Sequence, residues 1–507
     1  MQAIVSAAQA RQLLTSAAAS GSADDMLQAG AYALRAGAQA DALPPVREAA
    51  QRHPGNARLW QLLGILNRDL GDLPAAVEAF GKAVKLMPGD AMIANGHACV
   101  SYEAGLPAVK LFEEAIRLNP SDRALLLRLT AARIDEGQSD LAIGGLEDAV
   151  RRYPDWTEAH SGLAKLKWAR GDRDRFAESF ENAIGAAPRN AALWQSYAEL
   201  LLQDELHQQA LDVVLRAKAA LGALPALEAV ETVARAELGQ VNEAGTLFPR
   251  ALQTGRLDVI VAFLRFLLRA GRPQEAAIIA ERNIVHAGNH LWPYLSVAWR
   301  LIGDKRWEWL EGDPTLIGVY DIADSLPKLD ELADRLRTRH RAVVAPLDQS
   351  LRGGTQTDGD LLSPLRAQFA DLRQAVLAAV EQHVAQLAPY RRGHPTLIEQ
   401  RSPISLAGSW SVRLTEGGHH VDHTHPAGWI SSALYIALPS EAEGGSEHAG
   451  WLSLGVPHNL CPDLAPIKLV EPKPGRLVLF PSTMWHGTRP FEKGERLTVA
   501  FDVKRPA

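Results

Sequence analysis

The residues best suited to chemistry crowd into one short stretch, GGHHVDHTHPAGW, where His419, His420, Asp422, His423 and His425 fall within seven residues. Imidazole nitrogens and carboxylates are the usual side-chain ligands of a transition metal. On a strand, side chains two apart face the same side. Either His423 and His425 point inward, or His420 and Asp422 do, and a regular strand cannot present both pairs. A third ligand must come from elsewhere. His486 in LVLFPSTMWHGTRP is the candidate, because a buried strand ending at Pro481 leads into a loop that delivers its imidazole. It is common to both phases. Ten residues on, Arg496 opens the run RLTVAFDV, and Thr498 shares its face. A planar guanidinium grips a carboxylate with two parallel hydrogen bonds, and a neighbouring hydroxyl adds a third. This combination suits a metal that keeps open positions for a chelating acid, rather than a closed structural shell.

Short strands must position these groups. From residue 395 onward the apolar stretches SWSVRLT, WISSALYIAL, WLSLGV, RLVLFP and RLTVAFDV alternate with Gly, Pro and Asn. That pattern predicts an antiparallel sandwich or barrel. Ahead of it, RWEWLEGDPTLIGVYDI contains strand-like segments, and helical stretches over Ser325–Ala342 and Ser363–Leu387 would brace one sheet from outside. Between those helices lies a Gly-rich turn segment, DQSLRGGTQTDGD. Its glycines let the backbone come close to a ligand, which makes Arg352 and Gln356 candidates for substrate-side contact; a plain turn is the alternative. Trp410 and Arg413, on the strand before the histidines, are candidates for the pocket mouth, although the tryptophan suits the core equally. His419 and His448 have no evident partners and read as solvated.

The first half of the chain repeats itself. Pro54, Pro88, Pro120, Pro154 and Pro188 are spaced 34, 32, 34 and 34 residues apart. Each closes a block built like NARLWQLLGILNRDLGDLPAAVEAFGKAVKLMP, with Trp60, Leu63 and Gly64 on one helix and Ala76, Phe80 and Ala83 on the next. Small residues let antiparallel helices approach, large ones fill the groove, and proline stops the second helix. Trp194 restarts the frame. These residues resemble the tetratricopeptide repeat family, with about eight helix pairs between residues 1 and 290. The resemblance implies an all-α solenoid whose groove takes a protein or peptide partner. A spacer or dimerisation arm is the plainer reading. Residues 291–309 would form a linker and 310–507 the second domain, with its core at about 395–507.

The second domain has a resemblance of its own. HTHPAGWISSALYIALP, followed by PGRLVLFPSTMWHGTRPFEKGERLTVAFDV, is similar to the 2-oxoglutarate/Fe(II) oxygenase superfamily. More narrowly it resembles oxygenases carried behind tetratricopeptide repeats, and QSLRGGTQT resembles the lead-in of their catalytic region. This implies a double-stranded β-helix, or jelly-roll barrel, in which His423, His425 and His486 bind Fe(II). Arg496 and Thr498, with Tyr435 as a further candidate, would hold the far carboxylate of 2-oxoglutarate while O2 reacts at the metal. His425 stands where the superfamily usually has a carboxylate. The pair His420 and Asp422 would restore one, but HTH directly before the Pro and the apolar strand matches the narrower family. The implied function is a dioxygenase that hydroxylates a protein or peptide side chain docked by the repeats. The alternative is a repeat scaffold with a catalytically silent metal-binding barrel.

Composition sets the outer limits. In 507 residues, 47% hydrophobic and 22% charged is a globular balance, and a net charge of -6 gives no footprint for nucleic acid. Cys99 and Cys461 are the two cysteines, so no disulfide framework or CxxC site is possible and a cytoplasmic location is expected. MQAIVSAAQARQLL lacks the unbroken apolar stretch of a signal peptide, and Arg265 interrupts the apolar run Val259 to Leu264, so no membrane association is expected.

Overall fold

The computed structural model describes residues 6–345, 347, 349–440, 445 and 447–506. The first five residues of the repeat region and Asp348 of the Gly-rich segment lie outside that set. Antiparallel helices follow one another from Ala7–Ser20 to Trp292–Ile302. Many open on a short polar cap: Asn56, Asp72, Asp90, Asp122 and Asn190 each accept a hydrogen bond from an amide two or three residues on. The spaced prolines have a second role besides stopping helices. The Pro54 carbonyl accepts from Trp60 Nε1 at 3.0 Å and the Pro188 carbonyl from Trp194 Nε1 at 2.9 Å, which ties the end of one repeat to the start of the next. Gly64 is small for a packing reason, since a Cβ there would lie 2.5 Å from the Phe80 ring. No helix among the described residues is long and apolar enough to cross a membrane.

The chain divides into two compact units, one of Met1–Gly145 with Gly359–Ala370, the other of Leu146–Asp358 with Asp371–Ala507. Within the first, Arg366 pairs with Asp135 at 2.9 Å, and Leu365 N donates to the Ala104 carbonyl, so the later segment is packed into the early helices. The second unit combines the remaining helices with two antiparallel sheets. Its strands are β1 (Gly318–Asp321), β2 (Leu351–Gln356), β3 (Leu406–His420), β4 (Ile430–Ala437), β5 (Leu452–Leu454), β6 (Lys468–Val470), β7 (Arg476–Pro481), β8 (His486–Thr488) and β9 (Arg496–Val503). Six strands pair in the order β1-β7-β4-β9-β3-β2, and three in the order β6-β5-β8. The apolar stretches picked out in the sequence form β3, β4, β5, β7 and β9.

Four expectations need correction. RWEWLE is helical, over Arg306–Glu311, and only the end of that run forms a strand, β1. The two bracing helices are shorter, Leu329–Arg337 and Ala370–Gln386. The Gly-rich segment is not a turn between helices but the edge strand β2, bulged between Arg352 and Gly354. Gly353 takes φ 67°, and a Cβ on Gly354 would lie 2.3 Å from the Arg413 carbonyl, so both glycines are demanded by the bulge and by the close approach to β3. Finally, His486 begins β8 rather than riding on a loop.

Candidate metal centre

The histidine run escapes strand parity because β3 ends at His420. Beyond it, His423 makes an isolated bridge with His486, N to O at 2.9 Å in one direction and 3.0 Å in the other. A pair that exchanges both hydrogen bonds sets its two side chains side by side. The ring centroids of His423 and His486 are 4.1 Å apart, and His425 lies 4.9 Å from His423. One ligand nitrogen from each of the three lies within 4.8 Å of the others. His420 lines the same cavity, but Asp422 turns away: its Oδ2 accepts from His458 N at 2.7 Å and lies 3.2 Å from His458 Nδ1. Of the two pairs weighed, His423 and His425 lie in one cluster with His486, whereas His420 lines the cavity and Asp422 faces His458.

Hydrogen bonds fix which nitrogen each ring presents. His423 Nδ1 lies 2.8 Å from the Val421 carbonyl and His486 Nδ1 lies 3.0 Å from the Met484 carbonyl. Carbonyls only accept, so both Nδ1 atoms carry the proton and Nε2 keeps its lone pair. His425 Nδ1 lies 2.9 and 2.8 Å from the two carboxylate oxygens of Asp502, with the same result. Ser431 Oγ donates to Asp502 at 2.6 Å and holds that carboxylate in place. Ser350 Oγ lies 3.0 Å from His420 Nδ1 and 3.2 Å from His423 Nε2. Burial, reinforced by the neighbouring His425, pushes the His423 pKa down to about 3. Burial also holds His486 and His420 well below the usual histidine range. Neutral imidazole is the form that binds a metal.

The cavity continues past the histidines to Arg496, Thr498, Gln356 and Trp410, walled by Val412, Leu452 and Phe480. Arg496 is 3% exposed, yet its Nε and Nη1 have no hydrogen-bond partner. Its guanidinium sits 5.0 Å over the ring of Tyr435, whose buried hydroxyl is a neutral neighbour and supplies no anion. Burial pulls the Arg496 pKa down and pushes the Tyr435 pKa up. An unpaired buried cation is costly, and an anion with two oxygens would satisfy it. Glu495 does not serve, because it pairs with Arg337 at 2.7 Å and Arg413 at 2.5 Å. Arg413 is thereby directed away from the pocket mouth, against expectation, while Trp410 lies 5.7 Å from His425. His419 bonds the Gly417 carbonyl and His448 packs on Trp451, both apart from the cavity.

Sequence reasoning misses Asp502 and Ser350. A charged residue inside the apolar run RLTVAFDV is the available signal for the first; nothing local marks the second.

Residues 408–502 match the family model described as "Putative 2OG-Fe(II) oxygenase", and residues 57–90 match the tetratricopeptide repeat. Among solved structures the chain is similar to MamA of Desulfovibrio magneticus, 24% identical over 32% of this chain and 92% of that one, TM-score 0.29. It is also similar to a tetratricopeptide repeat protein from Parabacteroides merdae, 18% identical over 46% of this chain and 93% of that one, TM-score 0.32. No curated protein matches the chain.

Proposed function

We propose that this protein is an iron(II)- and 2-oxoglutarate-dependent dioxygenase that hydroxylates a protein or peptide side chain docked by its repeats. The observation that carries the reading is the pairing, in one cavity, of three histidines whose ligand nitrogens lie within 4.8 Å of one another with a buried guanidinium that lacks an anion. These groups fit the metal and the dicarboxylate. Bound together, iron and 2-oxoglutarate supply an oxidation in which O2 gives one oxygen atom to succinate, formed with loss of CO2, and the other to a substrate C–H bond.

His423, His425 and His486 would hold the metal on one face and leave the opposite face open. Asp502 keeps the proton on His425 Nδ1 and makes that ring a stronger donor, so a carboxylate lies one step behind the position where the sequence has none. Arg496 and Thr498 would bind the far carboxylate of the co-substrate, with Tyr435 beneath the guanidinium. Val412, Leu452 and Phe480 exclude water around it. In this reading the two sheets are the walls of a double-stranded β-helix, and the protein works in the cytoplasm, where the free Cys99 and Cys461 stay reduced.

The test is anaerobic reconstitution with Fe(II), then addition of 2-oxoglutarate and O2. Succinate is the expected product. Metal binding without 2-oxoglutarate affinity would instead favour a repeat scaffold with a silent metal site.

A further inference from the structure

A cleft of about 720 Å³ opens onto His423 and His425 from outside. One wall comes from the sheet region, through Ser350, Arg352 and Trp485. The helices and turns of the same unit contribute Trp168, Glu205 and Tyr294. It is too large for a single amino acid and has the size of an extended peptide segment.

Glu205 breaks the repeat pattern on this cleft. The turn between the two helices of a repeat is made elsewhere by Gly71, Gly105, Gly137, Gly171, Gly239 and Gly271, each with φ between 68° and 91°. Counting 34 residues on from Gly171 or back from Gly239 reaches Glu205, which adopts φ 58° without being glycine. A left-handed conformation costs such a residue about 1 kcal/mol or more, and it persists where something holds it. The turn itself is closed by Glu205 N donating to the Leu202 carbonyl at 3.2 Å and Leu206 N to the Leu201 carbonyl at 2.9 Å, and the Glu205 carboxylate is bound by Arg352 Nη2. Arg352 is fixed independently, because its Nη1 donates to the carbonyls of Gln349 at 2.9 Å and Leu351 at 3.0 Å. It stands two residues from Ser350, which touches His423 Nε2. A second cation on the cleft, Arg173, lies 5.0 Å over Trp168 and has no carboxylate partner among the described residues.

Of the two ion-pair partners, then, the arginine is anchored and the glutamate is strained and 55% exposed. We infer that the Glu205 carboxylate stands in for a carboxylate of the substrate, and that Arg352 selects acidic peptide segments for the adjoining metal centre. An incoming aspartate or glutamate side chain would displace Glu205 and take its place on the guanidinium. Of the other acidic groups on the cleft, Asp204 and Asp422, the latter is held by His458.

The inference rests on the peptide-oxygenase reading and is tested by equilibrium binding, which needs no turnover. Labelled, acetylated and amidated six-residue alanine peptides carrying one central Asp, Asn or Lys are titrated into the full chain, with thermal melting as the folding control. Preference for the Asp peptide is expected. Arg352→Gln should weaken its binding about tenfold or more, the usual scale for losing a charge-assisted pair. Glu205→Gly should tighten it several-fold and hold or raise the melting temperature. A best-binding Lys peptide, no peptide preference, or loss of Asp-peptide binding in both variants would overturn the assignment. Iron and 2-oxoglutarate binding are measured separately. If those fail while the peptide pattern holds, only the oxygenase reading falls; the converse result removes only the acidic specificity.

Discussion

His425 Nδ1 faces both carboxylate oxygens of Asp502, at 2.8 and 2.9 Å, from the side of the ring opposite the candidate metal position. Carboxylates behind a ligating imidazole orient the ring and raise its basicity, and their loss costs about ten- to a hundredfold in metal affinity. Asp502→Asn should therefore weaken Fe(II) or Mn(II) binding on that scale while His423→Ala and His486→Ala abolish it. Asp422→Asn should leave affinity unchanged. Metal titration of the four variants decides the ligand set, and a loss on Asp422→Asn would reverse it.

The same contact makes a counterintuitive prediction. His425→Asp restores the carboxylate usual in the superfamily, yet it would bring a second carboxylate toward Asp502. Like charges at such distances disfavour joint ionisation. Metal affinity should fall in His425→Asp and recover in part in the double variant with Asp502→Asn. An affinity at or above that of the parent in the single variant would show that Asp502 is not coupled to the metal.

Arg496 separates co-substrate from metal. Arg496→Met should abolish measurable 2-oxoglutarate binding while leaving the metal titration intact. A buried charge without a partner destabilises the fold, so the same change should raise the melting temperature of the protein without ligands. A fall in melting temperature would mean that the guanidinium is already compensated.

Stability should also depend on pH through Glu311. This carboxyl is 4% exposed and accepts from Ser296 Oγ, and burial raises its pKa from 4.5 to about 7. The folded state thus holds the proton more tightly than the unfolded chain. The associated stability is fully present below the unfolded value and is lost as pH rises through the folded one, on the order of 3 kcal/mol in all. Melting temperature should drop between about pH 5 and about pH 8, and Glu311→Gln should flatten that drop. Identical slopes for parent and variant would count against a protonated Glu311.

Much of the architecture is legible in the amino-acid sequence alone. The spacing of Pro54 through Pro188 and of their paired aromatics reports a repeat because each helix pair packs on its neighbour and every turn of the solenoid meets the same local demand. Five strands are legible for a similar reason, being short apolar runs bounded by turn residues. The shared face of Arg496 with Thr498 follows from strand periodicity, and the grouping of His423, His425, His486 and Arg496 is what the family resemblance implies. Such signals extend over a few residues and survive without knowledge of what lies across the fold.

Tertiary structure alone decided the rest, because each remaining feature depends on chain segments that meet from far apart. Periodicity allows two phases for the histidine run, and only the fold groups His423 and His425 with His486, beyond the end of the regular strand at His420. Asp502 lies 77 residues from His425 in sequence, so the missing carboxylate is located only once β9 is laid beside β3 and β4. The Gly-rich segment has the composition of a turn, and only the approach of β3, close enough to exclude a Cβ, makes it a strand. Glu205 is locally one more polar residue between helices; Arg352, 147 residues away, singles it out by closing on its carboxylate.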